Sequence, residues 1–186
     1  MRFEDVVRQL QIALRRPLPG IKAQALLAPV PRREWPAGFN PARARRAAGL
    51  LLLFPLGNEA HTVLTVRSDR LDRHSGQVSL PGGVVEPGET FEQAALREAH
   101  EEIALAPHGI DVLGALTPLD IPVSGFRLHP IVAAINRRPM LAPADGEVAR
   151  ILQVAVDDLL EPSRLVTVAR DRDGRMIAAP AFQIAG

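Results

Sequence analysis

Three glutamates, Glu98, Glu101 and Glu102, follow one arginine in the run Arg97-Glu98-Ala99-His100-Glu101-Glu102. On an α-helix Glu98 lies three residues from Glu101 and four from Glu102, so all three share one side. Carboxylates about 5–6 Å apart repel by about 3 kcal/mol at an effective dielectric of about 20. A bound divalent cation removes that repulsion. Mg²⁺ takes oxygen ligands, commonly one or two carboxylates with waters and substrate phosphates completing its shell. Such a cation polarises a phosphoryl oxygen and acidifies an attacking water. The preceding turn, Leu80-Pro81-Gly82-Gly83, brings bare backbone close, so the Gly83 carbonyl is a candidate fourth ligand. Glu86, in the loop that follows, is a further candidate. The chemistry implied is metal-assisted attack of water on a phosphate ester or anhydride.

The elements that must hold these groups are also legible. Thr90 followed by Gln93 is a capping-box pattern, which predicts a helix starting near Phe91. Its Ala94, Ala95, Leu96, Ala99 and Ile103 supply the apolar contacts. Leu50–Phe54 and His61–Arg67, joined by Gly57-Asn58-Glu59-Ala60, predict a strand hairpin. Ile110–Leu116 and Arg127–Ile135 predict further strands. Residues 147–154 and 157–160 read as short helical pieces. Val166–Ala169 and Met176–Ala179 flank Asp173-Gly174, a hairpin turn signal. Residues 3–16 place Phe3, Val6, Val7, Leu10, Ala13 and Leu14 at helical spacing, and residues 17–20 (PLPG) end that helix. Residues 27–46, rich in proline and arginine, predict an irregular surface segment with a solvated basic cluster. Strands and helices mix without regular alternation, so the expected class is α+β, an α/β/α sandwich on a mixed β-sheet. The expected division is an N-terminal helix and irregular segment over 1–44, packed on a domain over 45–186.

Composition narrows the partners. A chain of 186 residues, 47% hydrophobic and 23% charged, has the make-up of a globular domain. The net charge of +1 provides no field towards nucleic acid or an anionic membrane, and neither is expected as a partner. Lys22 is the only lysine; the other cations are arginines, whose planar fork suits phosphate. With no cysteine, disulfides, thiolate nucleophiles and zinc–sulfur sites are excluded. The charged N-terminus lacks a signal peptide's apolar core, so a cytoplasmic location is expected. A small-molecule substrate and a monomer or homodimer complete the expectation.

The stretch from Gly83 to Leu105 resembles the Nudix box: Gly, five residues, Glu, seven residues, Arg-Glu, an aliphatic residue, any residue, Glu-Glu, any residue, Gly, aliphatic. Gly83, Glu89, Arg97, Glu98, Glu101, Glu102 and Leu105 fall in place, while Ala99 stands at an aliphatic position and Ala104 where the pattern has glycine. The resemblance implies a Nudix hydrolase, whose members cleave nucleoside diphosphates linked to another moiety. It implies Mg²⁺ or Mn²⁺ held by Glu98, Glu101 and Glu102, with Glu89 paired to Arg97 so as to orient the ligands. The catalytic set is therefore Glu89, Arg97, Glu98, Glu101 and Glu102.

Residues 63–83, VLTVRSDRLDRHSGQVSLPGG, resemble the signature of the coenzyme A pyrophosphatase branch. Leu64, Thr65, Arg67, Ser68, Gly76, Pro81, Gly82 and Gly83 match; Asp72 stands where the signature has arginine and Leu80 where it has phenylalanine. Coenzyme A carries a 3′-phosphate beside its pyrophosphate, so its pocket needs donors beyond the metal site. Arg67, Ser68, Arg70, Arg73, Gly76, Gln77, Gly82 and Gly83 are the candidate substrate contacts. The expected products are 4′-phosphopantetheine and adenosine 3′,5′-bisphosphate. The alternatives are a Nudix pyrophosphatase for ADP-ribose, a dinucleotide or a damaged nucleotide, and a non-catalytic nucleotide sensor. His129 reads as a packed strand histidine. Glu147, expected at a helix start bordering the site, is a further candidate for the metal or its water. Relatives commonly continue into a last helix, so further chain is expected beyond Gly186.

Overall fold

The computed structural model describes residues 1–68, 76–144, 146–172 and 175–184. Arg70, Asp72 and Arg73, and the turn pair Asp173-Gly174, lie outside the described residues.

An unbroken apolar run makes β1 (Arg45–Leu56) the central strand, with Leu50, Leu52 and Phe54 wholly buried. Each such side chain stabilises the fold by about 1.5–3 kcal/mol. The expected hairpin is present: β2 (Glu59–Arg67) returns antiparallel, pairing Leu53 with Thr62 and Leu56 with Glu59. Next come β3 (Val78–Ser79), β4 (Gly82–Val84), helix α3 (Phe91–Ile103), β5 (Ile110–Ala115), β6 (Leu119–Ile121), β7 (Phe126–Ile135) and β8 (Val148–Ala155). The main sheet runs β3-β2-β1-β7-β5, with β4 on β1, β6 on β7 and β8 on β2. The β1–β7 pairing is parallel, from Arg45 with Phe126 to Leu53 with Ala134, and the others are antiparallel. This is the expected mixed sheet and α+β class.

Alternation along β1 serves two layers. Ala48, Leu50, Leu52 and Phe54 pack with Ala94, Ala95, Ala99 and Ile103 of α3. Leu53 faces the other way and joins Val132, Ala134 and Val6 of helix α1 (Phe3–Ala13).

Two sequence expectations are corrected. Residues 147–154 form no helix. Val148–Ala155 is strand β8, pairing His61 with Ala155 through Thr65 with Ile151 on β2. A short apolar run fits either period, and the open edge of β2 decided in favour of the strand. The Gly82-Gly83 stretch is itself a short strand, pairing Gly49 with Gly82 and Ala48 with Gly83. The 27–46 segment is exposed over most of its length, as expected, and the chain just before and within it is tied down at two points. After a second helix, α2 (Ile21–Leu26), that the sequence did not announce, Gln24 donates to the Thr117 and Pro118 carbonyls at 3.0 and 3.2 Å. Val30 then exchanges two backbone hydrogen bonds with Ala178, of 2.7 and 3.0 Å. Ala178 belongs to β10 (Arg175–Phe182), which pairs with β9 (Leu165–Arg172) in the anticipated hairpin. A short helix α4 (Val156–Leu160) follows β8, as expected. Among the described residues, no helix is long and apolar enough to cross a membrane.

Candidate active site

Helix α3 begins as its sequence requires. Thr90 Oγ1 accepts from the Gln93 N–H at 3.2 Å and Gln93 Oε1 accepts from the Thr90 N–H at 2.9 Å, a complete capping box. Its far end carries the one departure with a structural cost. Ala104 adopts φ +54°, the only non-glycine residue with positive φ among those described. The left-handed conformation costs an alanine about 1–2 kcal/mol, part of which glycine would return as unfolded-state entropy. Ala104→Gly is therefore expected to raise stability by about 0.5–1 kcal/mol, read as a higher midpoint in urea with unchanged slope.

Between these ends, Arg97 organises the acidic face. Its Nε and Nη2 grip the two Glu89 oxygens at 2.8 and 3.1 Å. Nη1 reaches Glu98 Oε1 at 2.9 Å and Glu101 Oε2 at 3.0 Å, and Nη2 also donates to the Val84 carbonyl at 3.0 Å. One guanidinium thus fixes three carboxylates and ties the helix to β4. The Glu89 carboxyl is held below its ordinary range, first by the Arg97 hydrogen bond and then by the Glu86 N–H. Glu98 behaves oppositely: burial pushes its carboxyl up, against the opposing pull of Arg97.

Glu98 and Glu102 both address the glycines of β4. A Cβ on Gly83 would overlap the Glu98 carboxylate, so only a glycine lets that carboxylate lie against the backbone. Glu102 Oε2 accepts from the Gly82 N–H at 3.1 Å. Glu86 is exposed, its N–H donating to Glu89 Oε2 at 2.9 Å. Among the described residues, no three acidic or histidine side chains converge on one point as they stand, because Glu101 is turned towards Arg97. The donor set nevertheless suits a hard cation: two carboxylates, one partly desolvated, face bare glycine backbone.

The second group sits at the end of β2. Arg67 Nη2 pairs with Glu147 Oε2 at 3.2 Å, and the Ser68 N–H donates to the Glu147 carbonyl at 2.7 Å. The buried Arg67 Nε has no acceptor among the described residues. Glu147 precedes a strand rather than a helix, so the helix-start setting expected for it is withdrawn. The chain reaches it from α3, where the Ala142 and Ala144 N–H groups bond the Ile103 and Glu102 carbonyls. Gly76, with φ +68°, and Gln77 close the loop by bonding the Arg67 carbonyl and N–H.

Sequence reasoning did not foresee the aromatic stack at the head of α3. His129 lies flat on Phe91, centroids 3.6 Å apart, with the Arg46 guanidinium carbon 5.9 Å from the Phe91 centroid. Burial, then Arg127 and Arg46, lower the His129 pKa, so it packs as a neutral ring. Nor did it foresee Asp120, which binds Arg127 through both oxygens at 2.6 and 3.1 Å and is also hydrogen-bonded by Trp35. The stack joins α3 to a strand far along the chain, while Asp120 and Arg127 meet as cross-strand partners of the β6–β7 pairing.

Comparison with known proteins gives the family. Residues 43–174 match the NUDIX domain model. The uncharacterized Nudix hydrolase NudL of Pectobacterium atrosepticum is 35% identical over 132 residues, covering 70% of this chain and 68% of that one. NudL of Citrobacter koseri is 36% identical over 121 residues, 64% of this chain; the chain spans 62% of that relative's length. The crystal structure of RenU, a Nudix hydrolase from M. smegmatis, superposes with a TM-score of 0.54 at 28% identity, covering 63% of this chain and 74% of RenU. A C. elegans Ap4A hydrolase shares the fold, with a TM-score of 0.51 at 22% identity over 62% of this chain and 83% of that one. A glycine strand facing a capped helix of glutamates, and a domain match over most of the chain, lead to one conclusion: this chain belongs to the Nudix hydrolase family.

Proposed function

We propose that this protein hydrolyses the pyrophosphate bond of coenzyme A or its derivatives, giving 4′-phosphopantetheine and adenosine 3′,5′-bisphosphate. The observation that carries the hydrolytic part is Glu98 seated against Gly83 while Glu102 takes the Gly82 N–H. Family members generally use divalent metals such as Mg²⁺ or Mn²⁺. Here Glu98, Glu101, Glu102 and the Gly83 carbonyl would hold the cation, with Glu101 leaving Arg97 to do so; Glu86 and Glu147 are the remaining candidates. The cation supplies Lewis acidity to a phosphoryl oxygen and to the attacking water. Glu89 and Arg97 fix the carboxylates. The water would be activated by the cation or by a glutamate such as Glu98.

The coenzyme A part rests on the residue pattern 63–83. Arg67, whose Nε has no acceptor among the described residues, would bind a substrate phosphate together with Ser68, Gln77 and the Gly76, Gly82 and Gly83 backbone. Arg70 and Arg73 share that proposal from sequence alone. Residues 45–186 are taken as the catalytic domain.

Mass spectrometry of coenzyme A incubated with the protein and Mg²⁺ or Mn²⁺, with ADP-ribose in parallel, tests this reading. Metal-dependent 4′-phosphopantetheine is expected. Intact coenzyme A beside cleaved ADP-ribose would overturn the substrate assignment while leaving the hydrolytic chemistry in place.

A further inference from the structure

The net charge of +1 averages over two unlike parts of the chain. Residues 6–33 hold six cations, Arg8, Arg15, Arg16, Lys22, Arg32 and Arg33, and not one acid; Glu34 closes the run. With 22 cations and 21 acids in all, the remainder of the chain carries 16 cations against 21 acids. A solvated basic run is ordinary. This one differs in what lies between its charges. Every large aliphatic residue over 21–30 stands in solvent: Ile21 at 68% exposure, Leu26 at 80%, Leu27 at 48% and Val30 at 69%. Single exposed apolar side chains are common, whereas a contiguous set rimmed by polar groups marks a surface that meets something.

Local structure turns this set outward and holds it there. Gln24 is the inward side of α2, donating to the Thr117 and Pro118 carbonyls at 3.0 and 3.2 Å. Lys22 and Leu26 stand two residues before and after it, about 200° round a helix, so both face away from the domain. Past the helix end, Val30 exchanges backbone hydrogen bonds of 2.7 and 3.0 Å with Ala178. The exposed aliphatic residues thus sit on backbone anchored at both ends. Leu27, Arg32 and Arg33 line one recess with Val123, which is exposed as well. Apolar side chains and guanidinium groups therefore share a surface. The acid in that recess, Asp120, is neutralised by Arg127 through both of its oxygens.

Charge decides between the partners that would cover such a face. A second copy meeting it across a two-fold axis would set Lys22, Arg32 and Arg33 against their own counterparts, and like charges across an interface oppose binding. A nucleic acid would satisfy the cations but bury none of the aliphatic side chains, since its bases stack on aromatic rings. An anionic bilayer answers both features. Aliphatic side chains enter the boundary between headgroups and acyl chains, while lysine and arginine meet the phosphates on their long stems.

We infer that α2 and residues 27–33 form a docking surface for an anionic membrane, on which the protein rests without spanning it. This holds for any substrate at the acidic helix and does not depend on the coenzyme A reading.

The test is flotation of the full chain with extruded vesicles of phosphatidylcholine and phosphatidylglycerol mixed two to one, beside vesicles of phosphatidylcholine alone. Each basic residue at an anionic surface is worth about fivefold in partitioning, so Lys22, Arg32 and Arg33 together predict a preference of about 10²-fold for the anionic vesicles. In about 1 M salt, where screening acts within about 3 Å, most of that preference is expected to vanish. Leu26→Asp is expected to weaken anionic-vesicle binding at least about tenfold with the melting temperature unchanged. Should that variant melt early, Lys22→Gln, expected to bind about fivefold more weakly, and the wild-type salt series decide. Equal partitioning onto both vesicles, or none onto either, would overturn the inference. A dimer in ultracentrifugation that Leu26→Asp dissolves, with no vesicle binding, would give the face to a second copy. A single-stranded oligonucleotide bound as tightly as the anionic vesicles, with Leu26→Asp indifferent to both, would show that charge alone acts and would also overturn it.

Discussion

Glu98→Gln is expected to lower kcat by about 10³-fold while leaving the protein at least as stable as the wild type at neutral pH. The rate effect follows from removing the one carboxylate that lies against the Gly83 backbone, whether it is lost as ligand or as proton acceptor. The stability effect follows from burial, which pushes the Glu98 carboxyl above its ordinary value. A group whose folded-state pKa is raised adds stability below its unfolded pKa and loses that contribution as pH rises through the folded value. At neutral pH the ionised Glu98 is therefore a liability to the metal-free fold, and glutamine relieves it. Calorimetric melting in EDTA beside single-turnover kinetics reads both halves. A melting temperature several degrees below wild type at pH 7 would show that Glu98 serves mainly to hold the helix, and would sink the assignment.

The second large effect is expected from a residue with no functional group. Gly83→Ala places a methyl where the Glu98 carboxylate lies. The carboxylate is a side-chain end and can swing away, so the fold should lose only about 1–3 kcal/mol, the usual cost of overpacking. Its new position is the difficulty: displacing a reacting group by about 1 Å can cost about 10²-fold. A kcat/KM at least about 10²-fold lower is expected, with a loss of apparent affinity for Mn²⁺ in a metal titration. Full activity in Gly83→Ala would mean that Glu98 works from elsewhere and that its seat on the turn is incidental.

Much of this site is written locally in the chain. The Thr90–Gln93 box starts α3 where its pattern requires, because a helix cap depends only on residues three apart. The Glu89–Arg97 pair forms as expected, since a single loop and two helical turns separate them. The apolar run of β1 and the turn at Gly57 fixed the hairpin, because a strand buried on both faces has few other solutions.

What only the tertiary structure decided lies between distant segments. Val148–Ala155 is a strand because β2 offers it an edge, a fact absent from its own residues. Arg67 and Glu147, eighty positions apart, meet only once β8 is laid beside β2. Glu101 turns to Arg97 rather than to its fellow acids, a choice of rotamer that spacing does not encode. The N-terminal segment is tied down by Gln24 on the Thr117 and Pro118 carbonyls and by Val30 on Ala178, all far along the chain. The residues by themselves made the family and the acidic helix face legible, since their types recur at fixed spacings along one loop and one helix. The fold determined the neighbourhood of that chemistry, because contacts between segments far apart in the chain cost loop entropy and are specified only by the whole packed core.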